Sequence, residues 1–362
     1  MKKTLLLTHE YYPYRGGIGT YCYNLFKHYS PHDYLVATDQ REIPDNNPVI
    51  RVRLVSSIMR PRWLMGCLTV ARIVRKYSIE QIVTPHILPL GRIAYVLKRI
   101  LGIPYIISLH GFDINLALER KEKITRKILS SAHAIIVNSH ATKEIVDGLH
   151  LKHLVEVITP YYNATLVNKD LETKLKEQYA GKKVILTTGR LVKRKGQDMI
   201  IQALPGIVKR VPMAHYVMVG DGPDKEYLQQ LAKDYGVMDR VTFVPDVADA
   251  DLGAYYSVAS LFAMPARRIG PDMEGFGIVY LDAASFGLPV IAGNSGGEAE
   301  AVGDGSAGLI VNVRSLEQII ESIVNILEDP ELAHYLGENA RERLKQLPTW
   351  DDQAQKLGRI LS

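Results

Sequence analysis

The residues best suited to chemistry form a cationic segment in the second half of the chain, Gly189-Arg190-Leu191-Val192-Lys193-Arg194-Lys195-Gly196. This segment follows a predicted strand and precedes a predicted helix, so Arg190 and Lys195 come from a loop at the carboxyl edge of a sheet. Two cations there can neutralise a diphosphate, which needs them most when it leaves with the electrons of its bond to a sugar. A solvated basic loop has the same composition, so the segment alone only suggests a diphosphate site.

A second segment, Glu274-Gly275-Phe276-Gly277-Ile278-Val279-Tyr280-Leu281-Asp282, carries two carboxylates eight residues apart. Eight residues make about two helical turns, which predicts that Glu274 and Asp282 lie on about the same face of a helix. Gly275 and Gly277 allow the backbone to approach a ligand closely, and the N–H groups of the opening turn point at it. The two acids could therefore hold the hydroxyls of a sugar and of a ribose. A capped helix with two surface acids is the alternative.

Two motifs in the first half also follow predicted strands. Tyr12-Pro13-Tyr14-Arg15-Gly16-Gly17-Ile18-Gly19-Thr20 departs from the dinucleotide fingerprint Gly-x-Gly-x-x-Gly, because Cys22 stands where the third glycine should be, and this argues against a nicotinamide site. A tight turn that needs glycine is the alternative to a binding loop. Leu109-His110-Gly111-Phe112-Asp113 ends another strand, and the place of His110 beside a glycine favours an active-site role over a structural one.

The strands that must position these loops recur through both halves. Short apolar runs alternate with amphipathic stretches, the pattern of βαβ units whose parallel sheets are covered on both faces. The predicted strands of the first half are Thr4–Thr8, Tyr34–Ala37, Ile50–Leu54, Gln81–Thr84, Tyr105–Leu109 and Ala134–Asn138. Those of the second half are Lys183–Thr188, Ala214–Val219, Val241–Val244, Ser260–Ala263, Pro289–Ala292 and Gly308–Val311. Predicted helices cover Leu64–Tyr77, Gly91–Ile100 and Thr125–Ser131 and follow Gly196, Pro223, Gly275 and Ser315.

The break between the two series falls near 160–180, where Pro160-Tyr161-Tyr162-Asn163 precedes a charged helical stretch. We therefore predict an α/β protein of two doubly wound, Rossmann-like domains, residues 1–165 and 166–346. The domains are expected to face each other across a cleft at the carboxyl ends of their strands, where such sheets bind ligands. The length of 362 residues agrees, because single cores stop growing at roughly 250–300 residues.

The composition suits a globular protein, with 47% hydrophobic and 23% charged residues. No apolar run approaches the ~20 residues that cross a bilayer. The start, 1–10, imitates a signal peptide, but its apolar stretch is too short, and a buried first strand explains it better. Cys22 and Cys67 are too few for a disulfide scaffold, so a cytoplasmic protein is expected.

The charge is divided unevenly. Residues 1–165 hold 22 Lys and Arg against 12 Asp and Glu, whereas residues 166–362 hold 22 against 27. The first half could face an anionic membrane or an acidic acceptor, with ordinary surface variation as the alternative. Arg60–Met65 and Ala71–Tyr77 combine cations with apolar and aromatic residues, which suits a helix on an anionic membrane, although an ordinary packed helix has this composition too. Nucleic acid is not an expected partner, because the cations are not interleaved with exposed aromatics.

Five motifs in order identify the family that the chain resembles. They are Gly-Arg-Leu…Lys-Gly at 189–196, Val219-Gly220-Asp221-Gly222-Pro223, Glu-Gly-Phe-Gly with its carboxylate partner at 274–282, Gly287-Leu288-Pro289-Val290-Ile291-Ala292 and Ser295-Gly296-Gly297. Together they resemble the retaining glycosyltransferases of family 4, which have the GT-B fold. The resemblance covers nearly the whole chain and is most specific from 187 to 311.

The resemblance implies roles for the residues of the second half. Arg190 and Lys195 would bind the donor diphosphate, and Glu274 would hold hydroxyls of the transferred sugar. The backbone amides of Gly275, Phe276, Gly277 and Ile278 would line the sugar and the phosphates.

The resemblance implies four further features. Asp282 would hold the nucleotide ribose, although the family has Glu there and Asp reaches one methylene less far. His110 would contact the donor sugar as a catalytic residue together with Glu274, Arg190 and Lys195. The loop at Gly16 and Gly17 would pack against the donor phosphates and the acceptor. A C-terminal helix, 347–362, would cross back onto the first domain.

An Asp-x-Asp sequence, Asp249-Ala250-Asp251, is the pattern that holds a divalent ion in another glycosyltransferase fold. It stands just before a predicted helix, where acids cap the helix and complement its dipole. We therefore expect no metal site and no cofactor. Asn138 or Ser139 is expected to cap another helix in the same way.

The resemblance implies a retaining, metal-independent hexosyltransferase that takes a nucleotide-sugar donor and a lipid-linked or saccharide acceptor. With the basic first half, it suggests a protein peripheral to the inner face of the cell membrane. Residues 264–280 resemble the branch that uses GDP-mannose to build phosphatidylinositol mannosides, which favours α-mannosyl transfer. UDP-glucose and UDP-N-acetylglucosamine are the alternative donors. A non-catalytic nucleotide-sugar-binding protein, an epimerase and a phosphorylase are the alternative classes, but a phosphorylase would need a pyridoxal-phosphate lysine in a much longer chain.

Overall fold

A computed structural model describes residues 2–14, 16–43, 48–56, 60–163, 166–303, 305 and 307–362. The chain forms two compact units, Met1–Pro160 with Pro348–Ser362, and Tyr161–Leu347. The predicted domains met between residues 165 and 166, whereas the units seen here meet between 160 and 161. The C-terminal segment belongs to the first unit from Pro348 onwards.

The first unit is built on a seven-stranded parallel sheet with the strand order β3-β2-β1-β4-β5-β6-β7. All five residues of the first strand are buried, because helices cover both faces of a parallel sheet. The order reverses between β1 and β4, which makes this gap the topological switch point of the sheet. The strands are β1 Thr4–Thr8, β2 Tyr34–Thr38, β3 Val49–Arg51, β4 Gln81–Thr84, β5 Tyr105–Leu109, β6 Ala134–Val137 and β7 Leu154–Val157.

Among the described residues, five helices connect these strands. The last of them begins after Ser139, whose side chain accepts a hydrogen bond from the backbone N–H of Thr142 at 3.0 Å, and this confirms the predicted cap. The helices are α1 Gly17–Phe26, α2 Leu64–Lys76, α3 Arg92–Leu101, α4 Phe112–Ser131 and α5 His140–Asp147, and a π-helical turn at Ile87–Gly91 precedes α3.

The second unit repeats the same winding. Its six parallel strands have the order β10-β9-β8-β11-β12-β13, so its switch point lies between β8 and β11. The strands are β8 Lys183–Thr188, β9 Ala214–Val219, β10 Val241–Val244, β11 Leu261–Met264, β12 Val290–Ala292 and β13 Leu309–Ile310. The helices are α6 Lys169–Gln178, α7 Gln197–Arg210, α8 Lys225–Asp234, α9 Asp249–Val258, α10 Ile278–Ser285, α11 Glu298–Val302, α12 Leu316–Glu328 and α13 Pro330–Gln346, with 3-10 turns at Lys193–Lys195 and Met238–Arg240.

The last helix, α14 Trp350–Leu361, returns to the first unit. Thr349 and Asp352 form a capping box at its start. At its end the backbone oxygen of Leu361 accepts hydrogen bonds from the backbone N–H of Lys2 at 3.1 Å and from Gln81 Nε2 at 2.7 Å. The helix is therefore attached beside the first strand.

The structure departs most from the sequence prediction at three elements, whereas other predicted bounds differ by a single residue at an end. Strand β7 was not predicted, because its sequence Leu-Val-Glu-Val lies at the sheet edge and is only partly buried. Strand β3 covers Val49–Arg51 instead of Ile50–Leu54. Helix α4 begins at Phe112 instead of Thr125 and is kinked at Lys121, where the backbone leaves the helical region.

Candidate active site

The candidate site of the second unit lies at its switch point, where the loops after β8 and β11 meet. Lys195 from the first loop and Glu274 from the second are both nearly buried, at 9% and 8% exposure. The ammonium of Lys195 lies 2.6 Å from Glu274 Oε2, and the guanidinium of Arg194 donates to the same oxygen. Arg194 Nε also lies 2.9 Å from Asp272 Oδ1. The structure thus brings together two of the predicted site residues, and adds Arg194 to them.

These charges fix the ionisation of Glu274. Burial alone would raise its pKa, but the adjacent charges of Arg194 and Lys195 and their hydrogen bonds lower the pKa to about 2. Glu274 is therefore a carboxylate at any physiological pH. Both contacts use Oε2, and among the described residues no hydrogen bond to Oε1 is found. Oε1 is thus the oxygen that remains for the hydroxyls of a ligand.

Arg190 lies on the same loop, but its side chain is exposed. Over the described ranges its guanidinium makes no ion pair, and only its backbone oxygen is engaged, by Gln197 Nε2 at 3.2 Å. An unpaired guanidinium beside a switch point is available to an anion. Its role in diphosphate binding stays a prediction.

The loops at this sheet edge pack closely on one another at three glycines. A Cβ at Gly196 would lie 2.1 Å from the backbone oxygen of Pro265, and one at Gly296 would lie 2.1 Å from that of Glu274. A Cβ at Gly297 would lie 2.3 Å from the oxygen of Gly275. No side chain fits at these three positions without moving the backbone. The loop after β12 therefore packs directly on the backbone of Glu274 and Gly275 and fixes their position.

The prediction that Glu274 and Asp282 share a helix face is wrong. Helix α10 begins only at Ile278, because Gly277 has a φ of +91°, a backbone conformation that residues other than glycine rarely adopt. Glu274 consequently lies in the loop, and Asp282 lies inside the helix. Two helical turns do not separate them.

Asp282 is 6% exposed, and its Oδ1 accepts a hydrogen bond from the backbone N–H of Asn163 at 2.9 Å. Burial raises the pKa of Asp282 to about 7, although this amide works against the shift. In this structure the carboxylate thus holds the segment that opens the second unit. Ribose binding by Asp282 stays a prediction.

The start of α10 presents free backbone donors. Among the described residues, no acceptor is found for the N–H groups of Gly275, Phe276 and Ile278. The side chain of Phe276 packs into the core, at 3% exposure, so only its backbone can serve a ligand. Donors of this kind at a helix N-terminus suit an anion, in agreement with the predicted phosphate and sugar contacts.

In the first unit, the loop after β1 contains the predicted Gly16 and Gly17. Gly16 has an extended backbone and precedes helix α1, and neither glycine has a left-handed φ. A Cβ at Gly17 would meet no atom within 4 Å. The alternative of a turn that requires glycine therefore has no basis at Gly17, which leaves open backbone beside the sheet edge.

His110 lies at the carboxyl end of β5, as predicted. Its Nε2 is 3.2 Å from Ser108 Oγ, and its backbone N–H donates to Asp113 Oδ1 at 2.8 Å. The ring of Tyr21 packs edge-on against the imidazole with centroids 4.9 Å apart. Burial lowers the pKa of His110 to about 3, so the ring is neutral at physiological pH.

Sequence reasoning missed two histidines at this edge of the first unit, His9 after β1 and His86 after β4. Their ring centroids are 5.2 Å apart, and His9 Nδ1 lies 2.8 Å from Asp39 Oδ1. The signal was present, since each follows a buried strand, as His110 does. It was weak because these positions lie far apart in the sequence.

No three potential metal ligands among His, Cys, Asp and Glu converge in the part of the chain that the structure describes. Asp249 and Asp251 lie in the first turn of α9, where Asp251 Oδ1 accepts a hydrogen bond from Asn168 Nδ2 at 2.8 Å. The N-cap residue is Ala248, so the prediction that these acids cap the helix is wrong. Their place in the first turn agrees with the predicted complement to the helix dipole.

The two doubly wound parallel sheets define a GT-B fold. Solved structures share it: sucrose-phosphate synthase from Thermosynechococcus elongatus has a TM-score of 0.83 at 23% identity, covering 99% of this chain and 98% of that one. HepE of Anabaena in complex with UDP-glucose has a TM-score of 0.83 at 20% identity, covering 99% of both chains.

Family models match both halves, "Glycosyltransferase Family 4" at residues 15–164 and "Glycosyl transferases group 1" at residues 168–343. The GDP-mannose-dependent alpha-(1-6)-phosphatidylinositol monomannoside mannosyltransferase of Mycobacterium tuberculosis is 32% identical over 100% of this chain and 98% of its own. A second relative is the GDP-mannose-dependent monoacylated alpha-(1-6)-phosphatidylinositol monomannoside mannosyltransferase of Corynebacterium glutamicum. It is 29% identical, over 99% of this chain and 98% of its own length. The chain belongs to the family 4 glycosyltransferases, and it is a glycosyltransferase.

Proposed function

We propose that the protein transfers an α-mannosyl group from GDP-mannose, with retention of configuration and without a metal ion, to a lipid-linked or saccharide acceptor. The observation that carries the proposal is the buried contact of Lys195 with Glu274 beside the exposed Arg190, at the switch point of the second sheet. Lys195 is held by its ion pair, whereas the Arg190 guanidinium makes no ion pair within the described residues. Glu274 beside them has one oxygen, Oε1, for which no hydrogen bond is found there.

The proposed roles follow from this geometry. The diphosphate lies between Arg190, Lys195 and the free N–H groups at the start of α10, and these donors stabilise the charge that develops as the C1–O bond breaks. Oε1 of Glu274 accepts hydrogen bonds from sugar hydroxyls, while Oε2 stays with the cations. In the first unit, neutral His110 is the residue that we propose as a hydrogen-bonding partner for the sugar.

The choice of GDP-mannose rests on the relatives, which are named for that donor at 29–32% identity over the full chain. Titration of GDP-mannose, UDP-glucose and UDP-N-acetylglucosamine against the melting temperature tests it directly. A ligand at 100 times its Kd stabilises the folded state by about 2.7 kcal/mol. We expect the largest shift with GDP-mannose, and an equal or larger shift with a UDP-sugar would contradict the choice.

The exposed face of α2 supports an acceptor at a membrane. Leu64 and Leu68 are 41% and 54% exposed, one helical turn apart, and exposed Arg72, Arg75 and Lys76 continue the face. Over the described ranges, no helix is both long enough and apolar enough to cross a bilayer. We propose peripheral attachment to the anionic inner face of the cell membrane. Salt-sensitive co-sedimentation with phosphatidylglycerol liposomes is expected, and no binding even at low ionic strength would contradict it.

Donor consumption separates the remaining classes. A transferase consumes GDP-mannose in the presence of acceptor, a non-catalytic binding protein consumes none, and an epimerase acts on its donor without acceptor. Activity that survives exhaustive treatment with EDTA is expected for a metal-independent enzyme. Loss of activity that Mg²⁺ or Mn²⁺ restores would contradict that part of the proposal.

A further inference from the structure

Glu298, the first residue of α11, is a buried acid to which the proposed function gives no role. Its side chain is 0% exposed, and its Oε1 accepts a hydrogen bond from the Ser295 hydroxyl at 2.7 Å. No hydrogen bond to its Oε2 is found among the described residues. Burial raises the pKa of Glu298, although its own backbone N–H and the Ser295 hydroxyl oppose the shift. A carboxylate with one buried, unpaired oxygen is unfavourable, so stability alone gives no reason for an acid here.

The hydrogen bond between Ser295 and Glu298 closes the turn that follows β12. This turn is attached to the loop after β11 at two further points. Ser295 Oγ lies 3.3 Å from the backbone oxygen of Ala266, and the backbone N–H of Gly297 donates to the backbone oxygen of Glu274 at 3.0 Å. Glu298 is therefore linked to Glu274 through a single short turn.

The turn cannot move without moving Glu274. A Cβ at Gly296 would lie 2.1 Å from the backbone oxygen of Glu274 and 3.1 Å from Glu298 Oε2, so both acids pack against the same side of this glycine. No side chain separates the two backbones and could absorb a displacement. The Glu274 carboxylate is paired with Lys195 through Oε2, and its Oε1 is the oxygen proposed for the hydroxyls of the sugar. A shift of the turn consequently misplaces that oxygen.

We propose that Glu298 is a positioning residue for sugar recognition: by accepting the Ser295 hydrogen bond, it holds the turn that fixes Glu274 for the transferred sugar. This inference rests on the proposed function. Glu298 does not touch the ligand itself, because its side chain is fully buried. The cations proposed for the diphosphate, Arg190 and Lys195, belong to the loop after β8, so the nucleotide part of the donor depends less on this turn.

The test compares Glu298→Leu, Glu298→Gln and Ser295→Ala with a matched control, Glu172→Leu. Glu172 is another buried acid of the same unit, 8% exposed, and its carboxylate lies 2.8 Å from the ammonium groups of Lys169 and Lys176. Calorimetric titration of the full chain gives the Kd for GDP and the Kd for GDP-mannose. The melting temperature is measured for every variant.

We expect Glu298→Leu to weaken GDP-mannose binding by about ten- to a hundred-fold, the equivalent of one hydrogen bond to a charged group, with the Kd for GDP within about threefold of the wild type. Its melting temperature should lie at or above the wild-type value, because the buried, half-bonded carboxylate is gone. Glu298→Gln keeps an oxygen that can accept from Ser295, so it should retain GDP-mannose affinity within about threefold.

Ser295→Ala removes the donor instead of the acceptor and should cause the same selective loss, so it answers the question even if Glu298→Leu does not fold. Glu172→Leu should leave the Kd of both ligands within about twofold. An equal weakening of GDP and GDP-mannose in Glu298→Leu, as expected for a purely structural residue, would overturn the inference. Unchanged GDP-mannose affinity in Ser295→Ala, or a loss in Glu298→Gln as large as in Glu298→Leu, would overturn it as well.

Failure of the proposed function looks different in the same titrations. In that case the wild-type chain itself binds neither GDP nor GDP-mannose, and the inference falls together with the proposed function. Binding of both ligands by the wild type, with the selective loss confined to Glu298→Leu and Ser295→Ala, supports both.

Discussion

The replacement of Lys195 by Met is the sharpest test of the diphosphate site. Met keeps the length and apolar stem of the side chain and removes only the ammonium, which lies 2.6 Å from Glu274 Oε2. A hydrogen bond to a charged group contributes about 1.5–3 kcal/mol. Since each 1.4 kcal/mol is a factor of ten, the loss of one such contact with the diphosphate weakens donor binding by about ten- to a hundred-fold.

The folded state also loses a buried contact. Removing one partner of a buried ion pair costs roughly 3–5 kcal/mol when the other charge is left alone. Here Arg194 still donates to Glu274. We therefore expect a smaller loss of stability, and Lys195→Met remains suitable for binding measurements.

Lys193→Met is the matched control, on the same loop and with the same change of charge. Its side chain is exposed, and its ammonium lies over the ring of Tyr227 at 5.2 Å from the centroid. Calorimetric titration of GDP and GDP-mannose should give a Kd within twofold of the wild type for Lys193→Met, and ten- to a hundred-fold weaker for Lys195→Met. Near-normal donor affinity and turnover in Lys195→Met would refute the reasoning.

Three further predictions concern ionisation and packing. Glu274 has its pKa lowered in the folded state, so it contributes stability above pH 4.5 that is lost as the pH falls towards 2. In chemical unfolding, the free energy of unfolding of Arg194→Met should depend less on pH over this range than that of the wild type. Asp282 has its pKa raised in the folded state, so the fold loses stability as the pH rises from about 4 to 7. The stability of Asp282→Asn relative to the wild type should therefore increase by up to about 4 kcal/mol between thermal scans at pH 4 and at pH 8. An equal difference at the two pH values would contradict the assignment. Gly296→Ala should cost about 1–3 kcal/mol and weaken donor binding, since its Cβ would lie 2.1 Å from a backbone oxygen, whereas Gly148→Ala, whose nearest atom is 3.6 Å away, should have little effect on either.

The strands of both sheets were the easiest part of the fold to predict. Buried parallel strands are continuous apolar runs that end at glycine or a polar residue, and six of them, Thr4–Thr8 among them, have the predicted bounds. Helix starts were harder, because the helical pattern of α4 is diluted by charges until Thr125. The error at Glu274 came from treating all residues from Glu274 to Asp282 as helical. Gly277 lies between the two acids, and its left-handed backbone keeps the helix from starting before Ile278.

The contacts within each site could be predicted only in part. The spacing of Arg190 and Lys195 and the family motifs pointed to the sheet edge at which Lys195 and Glu274 meet, but they gave no reason to expect the contact of Arg194 with Glu274. His9 and Asp39 are 30 residues apart, and they meet because β1 and β2 are neighbours in the sheet. Strand order decides such contacts, and it is not visible in the local sequence.

The central claim is that a nucleoside diphosphate lies against the loop that follows β8. A crystal structure with GDP-mannose bound tests it most directly. We predict phosphate oxygens within about 3 Å of Lys195 Nζ and of the Arg190 guanidinium, with a sugar hydroxyl on Glu274 Oε1. A nucleotide bound elsewhere, with Arg190 directed into solvent and Lys195 still paired only with Glu274, would contradict the account.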